Sequence, residues 1–104
     1  MRRLLLAAAV ASASWPAVAD YESAMRELTQ GLPGDVRELI HRLVDCNHWG
    51  GEEAYDDDRA KEIDAAMTEL RCDALERDER EARHRHNAAT EVIRALDRAR
   101  ELLF

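Results

Sequence analysis

Residues that enzymes commonly use are scarce in this sequence. Ser23 is the one serine after residue 19, and no glycine elbow surrounds it of the kind that presents a nucleophilic serine. The glycine pair Gly50-Gly51 lacks the lysine and the strand context of a phosphate-binding loop. Acidic residues are plentiful, but nothing singles out a general acid and a general base among them. We therefore expect a protein that is not an enzyme and that carries no cofactor.

The sequence also lacks a long apolar run. Its most apolar stretch, residues 4–13, is shorter than the roughly 20 residues that a membrane-spanning helix needs, and Trp15-Pro16 interrupts any extension. No cysteine precedes Cys46, so the N-terminal region offers no thiol that could accept a lipid. These absences predict a protein with no stable membrane anchor.

The N-terminal residues have the three parts of a secretory signal peptide. Arg2 and Arg3 supply positive charge, the apolar stretch follows, and Ala17-Val18-Ala19 forms a small-residue cleavage box. This order predicts a signal peptide over residues 1–19, a mature domain over residues 20–104, and a periplasmic or secreted protein. The alternative is that the apolar stretch is an N-terminal helix of the fold.

The predicted mature chain is strongly acidic. The full sequence has 15 basic and 22 acidic residues, so removing Arg2 and Arg3 leaves 13 basic residues and a net charge of 13 − 22 = −9. Such a domain is repelled by nucleic acid and by anionic lipid, whereas it attracts a cationic protein or a metal cation. The alternative is that the charge serves only to keep a small exported protein soluble.

The two cysteines, Cys46 and Cys72, both lie in the predicted mature domain. An even number in an exported chain predicts a disulfide, and closing this loop contributes about 3.5 kcal/mol in the chain-entropy model. In a simple helical hairpin the two cysteines would be offset along the helix axes by about 15 Å. We therefore expect the connection over residues 50–57 to fold back, or the helices to cross steeply, with Trp49 and Tyr55 packing this loop against the body.

Apolar residues recur at helical spacing in four segments, and no segment has the pattern of a strand. The four apolar faces comprise Tyr21, Met25, Leu28 and Leu32; Val36, Leu39, Ile40, Leu43 and Val44; Ile63, Ala66, Met67, Leu70 and Ala74; and Val92, Ile93, Leu96, Ala99 and Leu103. Gly31 and Pro33-Gly34 separate the first two segments. The prediction is an all-α protein, a small bundle of about four helices closed by one disulfide.

Polar residues predict where these helices begin and which face they expose. Asp35 and Asn87 are the expected N-caps of the second and fourth helices. The third helix is expected to be long, from residue 57 or 58 to about residue 86. Its second half, residues 76–86, has Ala82 as its one apolar residue and three Glu–Arg pairs spaced four apart, so we expect it to be solvated.

The most distinctive segment is residues 46–56, which read Cys-Asn-His-Trp-Gly-Gly-Glu-Glu-Ala-Tyr-Asp. It resembles the central motif of a family of small exported proteobacterial proteins, in which Cys, Asn or Asp, His and an aromatic residue precede Gly-Glu-Glu-x-Tyr-Asp. The resemblance extends to Leu70-Arg71-Cys72 and to the terminal helix. It implies export, a disulfide and a motif that acts as a unit, and it implies no catalytic residue.

Two groups of side chains suggest metal binding. The motif and the acids after it offer His48, Glu52 and Asp56, together with Glu53, Asp57 and Asp58, but their spacing matches no EF-hand. The alternative is that His48 hydrogen-bonds the loop while the acids cap the next helix. His84 and His86 are two residues apart on a helix and point about 200° away from each other, so we expect them to interact with the helix dipole instead.

These observations lead to three functional hypotheses. The first is a non-enzymatic exported binding protein that presents an aromatic and acidic surface to a cationic protein, such as a basic cell-wall enzyme. The residues expected to bind this partner are Trp49, Glu52, Glu53, Tyr55 and Asp56. The second is a divalent-metal-binding protein that uses His48, Glu52 and Asp56. The third is a structural or stress-related protein in which the motif only holds the fold.

Overall fold

The computed structural model describes residues 16–102, with side chains from residue 20 onward. Between residues 16 and 102 it contains helices and no strand, so the predicted all-α class is confirmed. The elements are α1 (Pro16–Thr29), α2 (Gly34–Gly50), α3 (Asp57–Glu69), a short 3-10 turn (Cys72–Ala74), α4 (Leu75–Arg85) and α5 (Thr90–Leu102). Residues 1–15, which hold most of the predicted signal peptide, lie outside the described part of the chain.

The core lies between α1, α2, α4 and α5. Its largest fully buried side chains are Val36, Ile40 and Leu43 from α2 and Val92 and Leu96 from α5, as their spacing predicts. Smaller contributions come from Met25, Leu32, Leu39, Ala82, Ala95 and Ala99. Gly31 ends α1 in the left-handed region at φ +72°, which glycine adopts without a steric cost. The chain can therefore turn between the first two helices and pack them together.

The predicted third helix is two helices in the structure. It ends at Glu69, and the next helix begins only at Leu75, after Arg71 in a left-handed conformation (φ 53°) and the 3-10 turn. Left-handed backbone costs a residue with a Cβ roughly 1–2 kcal/mol, so local preference does not place the break here. The prediction of one continuous helix over residues 57–86 is wrong because contacts with α2 decide where the chain turns.

Arg42 supplies the contacts that hold this turn. It is buried in α2, where its Nε donates to the Leu70 carbonyl at 2.8 Å and its Nη2 donates to the Arg71 carbonyl at 2.9 Å. Its Nη1 pairs with Asp78 of α4, also at 2.9 Å, and this hydrogen bond is the main reason that the pKa of Asp78 is lowered. The carbonyls at the end of a helix have no partner within it, so one buried guanidinium caps α3 and binds α4 to α2.

The predicted disulfide is confirmed. Cys46 and Cys72 are bonded, with their Cα atoms 5.7 Å apart. Cys46 lies in the last turns of α2, and Cys72 opens the 3-10 turn that follows Arg71. Ending the preceding helix at Glu69 and turning at Arg71 lets Cys72 reach Cys46, because Cys72 is not part of a helix that continues past its partner.

Two expectations about burial are wrong. None of the side chains of α3 is buried, although Ile63, Ala66, Met67 and Leu70 have the spacing of a core face, and these four are half-buried. Conversely, α4 is not simply solvated, because Ala82 packs in the core. The polar face of α4 also contributes to packing, as its ion pairs show.

Glu79 of α4 is 8 % exposed and joins α4 to α5. Its carboxylate accepts from Arg83 Nε at 3.0 Å and from Arg100 Nε at 3.0 Å. Arg83 in turn pairs with Asp97 at 2.9 Å. Of the three predicted Glu–Arg pairs, the one between Glu79 and Arg83 therefore forms as part of a network between helices, and this network keeps a buried carboxylate compensated.

The two predicted N-caps are also wrong. Pro33 precedes α2 without a side-chain cap, and Asp35 lies inside the first turn, where its Oδ2 accepts from Arg85 and lies 2.9 Å from His86 Nε2. The hydrogen bond with His86 is the largest cause that lowers the pKa of Asp35 to about 2. The last helix begins at Thr90, three residues beyond Asn87.

Candidate binding surface

The motif of residues 46–56 divides into a helical part and a loop. Residues 46–50 form the last turn and a half of α2, and the backbone N–H of Gly51 donates to the Asn47 and His48 carbonyls. The N–H of Glu52 donates to the Trp49 carbonyl at 3.2 Å, after which the chain leaves the helix. The first half of the motif is therefore fixed by helical hydrogen bonds, and the loop starts from a defined point.

Glu52 connects the two halves. Its Oε1 lies 3.3 Å from His48 Nε2, and its Oε2 lies 3.2 Å from Arg59 Nη2 in the first turn of α3. Arg59 also pairs with Glu62 at 2.9 Å, and the hydrogen bond with Glu62 is the largest cause that raises the pKa of Arg59. One carboxylate thus joins the end of α2 to the start of α3.

Trp49 is half-buried beneath the same arginine. The guanidinium carbon of Arg59 lies 5.3 Å from the centre of the Trp49 ring, which is the geometry of a cation–π contact. The His48 ring meets the edge of Trp49 at 5.5 Å with an interplanar angle of 72°. Trp49 therefore packs the loop against the body, as expected, and Arg59 is a partner that the sequence reading missed.

Tyr55 does not pack the loop, and that prediction is wrong. Its side chain is 78 % exposed, and Glu53, Asp57 and Asp58 beside it are exposed as well. Asp56 faces the helix instead, since its Oδ1 accepts from the Arg59 N–H at 2.7 Å and caps α3. Tyr55 is thus an exposed phenol ring that is flanked in the sequence by exposed carboxylates.

The five residues predicted to bind a partner therefore fall into two groups. Trp49, Glu52 and Asp56 make contacts within the protein, whereas Glu53 and Tyr55 face outward. We name the outward group, with the adjoining helix start, the loop patch. It comprises Glu53, Tyr55, Asp57 and Asp58.

The geometry offers little to a metal ion. Among the residues that the structure describes, no three His, Cys, Asp or Glu side chains are grouped so that they could hold one. His48 and Glu52 are neighbours, but Glu52 is shared with Arg59 and Asp56 caps α3. His86 and Asp35 form a pair at the other end of α2, with Arg85 as their third member.

Sequence analysis missed the roles of Arg42 and Arg59, and only for Arg42 does the sequence contain a pattern that could have indicated its role. Arg42 lies three positions after Leu39 and four before Cys46, so helical spacing places it on the buried side of α2. A charged residue at such a position needs buried partners. Arg59 had no comparable signal, because its role depends on how the loop returns α3 to Trp49.

The fold and the site define a small all-helical protein that is closed by one disulfide and presents an acidic loop with an exposed aromatic residue. No protein-family model, no curated protein and no solved structure matches the chain. Over residues 16–102, no helix has the length and apolar character needed to cross a membrane.

Proposed function

We propose that this chain is an exported, non-enzymatic binding protein whose loop patch engages a cationic protein. The observation that carries the proposal is the 78 % exposure of Tyr55 among exposed carboxylates. Tyrosine is enriched among the residues that dominate binding energy, since it supplies contact area together with a polar group. Carboxylates around such an anchor accelerate association with a basic protein and disfavour acidic ones.

The way the loop is held supports the same proposal. Glu52 and Asp56, on either side of Tyr55, bond to Arg59 at 3.2 Å and 2.7 Å, and Gly51 is bonded to the end of α2. These contacts fix both ends of a six-residue connection between α2 and α3. A loop that is already ordered loses less conformational entropy when a partner binds.

A structural role is the second candidate, and a separate observation favours it. Trp49, Glu52 and Arg59 form an internal cluster that joins α2 to α3. These residues therefore contribute to the stability of the fold. The structural hypothesis therefore predicts that Trp49→Ala lowers the melting temperature, while changes in the loop patch leave every measured property unchanged.

Binding to a basic protein tests the proposal directly. A basic lysozyme serves as the probe, and its affinity for the protein is measured by calorimetry at about 20 mM and about 300 mM NaCl, because exposed charges are screened by salt. Glu53→Gln, Asp57→Asn and Asp58→Asn are combined in one variant. Tyr55→Ala is measured separately, because it removes the aromatic anchor without changing the charge.

A second triple variant is the matched control. Glu27→Gln, Glu76→Gln and Glu91→Gln remove the same charge from exposed positions on α1, α4 and α5. Binding that weakens with salt, falls about tenfold in the patch variant and changes little in the control supports the proposal, since rim pairs contribute about 0.2–1 kcal/mol each. Equal losses in both triple variants, or no salt-sensitive binding, would refute it.

A further inference from the structure

A cleft lies between α2 and α3, on the inner side of the motif. It has a volume of about 550 Å³, and Trp49, Ala66 and Leu70 provide its apolar surface. All three side chains are half-buried, and α3 has no buried side chain within the described chain. The two helices thus face each other across a space that their own side chains do not fill.

The rim of this cleft is acidic. Glu38 and Asp45 of α2 and Glu69 of α3 line it, with Arg42 and Arg71 at the end where α3 stops. The charge of Arg42 is compensated by Asp78 at 2.9 Å. Among the acids and arginines that line the cleft, three carboxylates accompany a single guanidinium without an ion pair, that of Arg71.

The Trp49 ring already accepts a cation from within the protein. Arg59 lies 5.3 Å from its centre, and the guanidinium is held there by Glu52. An aromatic ring beside carboxylates favours the long stems and charged heads of lysine and arginine, because the stem packs on apolar surface while the head reaches the acids. The cleft is lined by both an aromatic ring and carboxylates.

We propose that the α2/α3 cleft binds a lysine- or arginine-bearing segment of the cationic partner. The basic stems lie on Trp49 and Leu70, and the charged heads pair with Asp45 and Glu69. This inference rests on the proposed function and adds a second contact area to the loop patch. A second copy of the chain is a poor occupant, since each mature copy has a formal net charge of 13 − 22 = −9 and the two rims would repel each other.

Fluorescence of Trp49 reports on the cleft directly. Of the two tryptophans, Trp15 lies within the predicted signal peptide, so Trp49 is the single indole of the proposed mature protein, residues 20–104. The protein purified after export from a bacterial host is titrated with a short poly-arginine peptide and with a basic lysozyme. A shift in Trp49 emission that saturates with the same midpoint as calorimetric binding is the expected result.

Two cleft variants and one control complete the test. Asp45→Asn with Glu69→Gln removes two of the three rim carboxylates but keeps an acceptor oxygen near Tyr21, whose hydroxyl lies 3.5 Å from Asp45. Ala66→Phe fills the space without changing the charge. Glu27→Gln with Glu91→Gln is the matched control on α1 and α5. Each variant is first shown to be folded by its circular dichroism spectrum and its melting temperature.

A tenfold or greater loss of peptide affinity in both cleft variants, with no loss in the control, is the expected outcome. Binding that is lost only in the loop-patch variant, with Trp49 emission unchanged, overturns the cleft proposal and leaves the proposed function standing. Absence of binding by both probes overturns both. Self-association in sedimentation that disappears in Ala66→Phe overturns the choice of occupant, because it identifies a second copy in the cleft.

Discussion

Breaking the Cys46–Cys72 bond should release α3 while the other helices stay packed. The core is built from α1, α2, α4 and α5, and α3 contributes no buried side chain to it. Besides the disulfide and its half-buried apolar side chains, α3 is held by Arg42 at its end and by Arg59 against Trp49 at its start. The element is therefore attached at its two ends by polar contacts and a bridge.

The size of the effect follows from the length of the loop. The cysteines are 26 positions apart, and closing a loop of this length stabilises the closed form by about 3.5 kcal/mol in the chain-entropy model. Because α2 and α4 stay packed and keep the two ends of this segment near each other, an opening of α3 alone gains only part of this freedom when the bond is removed. The equilibrium for opening α3 should therefore shift by less than the limit of about 300-fold that about 3.5 kcal/mol sets for complete unfolding.

Native-state hydrogen exchange of the oxidised protein and of a Cys46→Ala/Cys72→Ala variant is the assay. Amides of α3 should exchange with a smaller opening free energy than those of α2 and α5 in both proteins, and should be less protected in the variant than in the oxidised protein. Amides at Ile40 and Leu96 should remain protected. If α3 and α5 exchange with the same opening free energy in the variant, α3 belongs to one cooperative core and the reasoning is refuted.

The remaining predictions concern charged residues inside the fold. Arg42→Ala should lower the free energy of unfolding by about 3 kcal/mol in a urea titration, because the Leu70 carbonyl loses its donor and Asp78 loses its buried partner. Exposed Arg37→Ala should change the free energy of unfolding by less than about 0.5 kcal/mol. The pKa of Asp35 is lowered to about 2 beside His86, so the stability from this pair should be complete above pH 4 and lost as the pH falls toward 2. Melting temperatures from pH 6 to pH 2 should fall less steeply in Asp35→Asn, and parallel curves would contradict this assignment. Glu79→Gln should cost about 2 kcal/mol in a urea titration, since two arginines then face a neutral amide, and an unchanged midpoint would show that the buried charge adds nothing.

The periodicity of the sequence correctly predicted those features of the fold that depend on the burial of apolar side chains. The stripes on α2 and α5 are the core, and the pairing of the cysteines followed from their number and from the predicted export of the chain. These features depend on the composition and the apolar spacing of a single segment. They can be read before any contact between segments is known.

The remaining features depend on contacts between distant residues. Arg71 is left-handed because Arg42, 29 positions earlier, binds its carbonyl, and nothing in the local sequence marks the turn. Glu79 is buried because arginines from α4 and α5 reach it, so a charged segment that looked solvated is part of an interface. A contact between distant residues also explains why Trp49 is held by Arg59. Within the described chain Tyr55 has no such contact and is therefore the aromatic residue that the loop patch exposes.

The independence of α3 from the core has a consequence for how this protein can change. Substitutions over residues 57–69 alter a surface helix, its cleft and the neighbouring loop, but they remove no side chain from the packed interior. The disulfide and the buried guanidinium hold the end of that helix in place whatever side chains it displays. Residues 57–69 other than Arg59 can thus be diversified, much as a recognition loop is varied on an invariant framework.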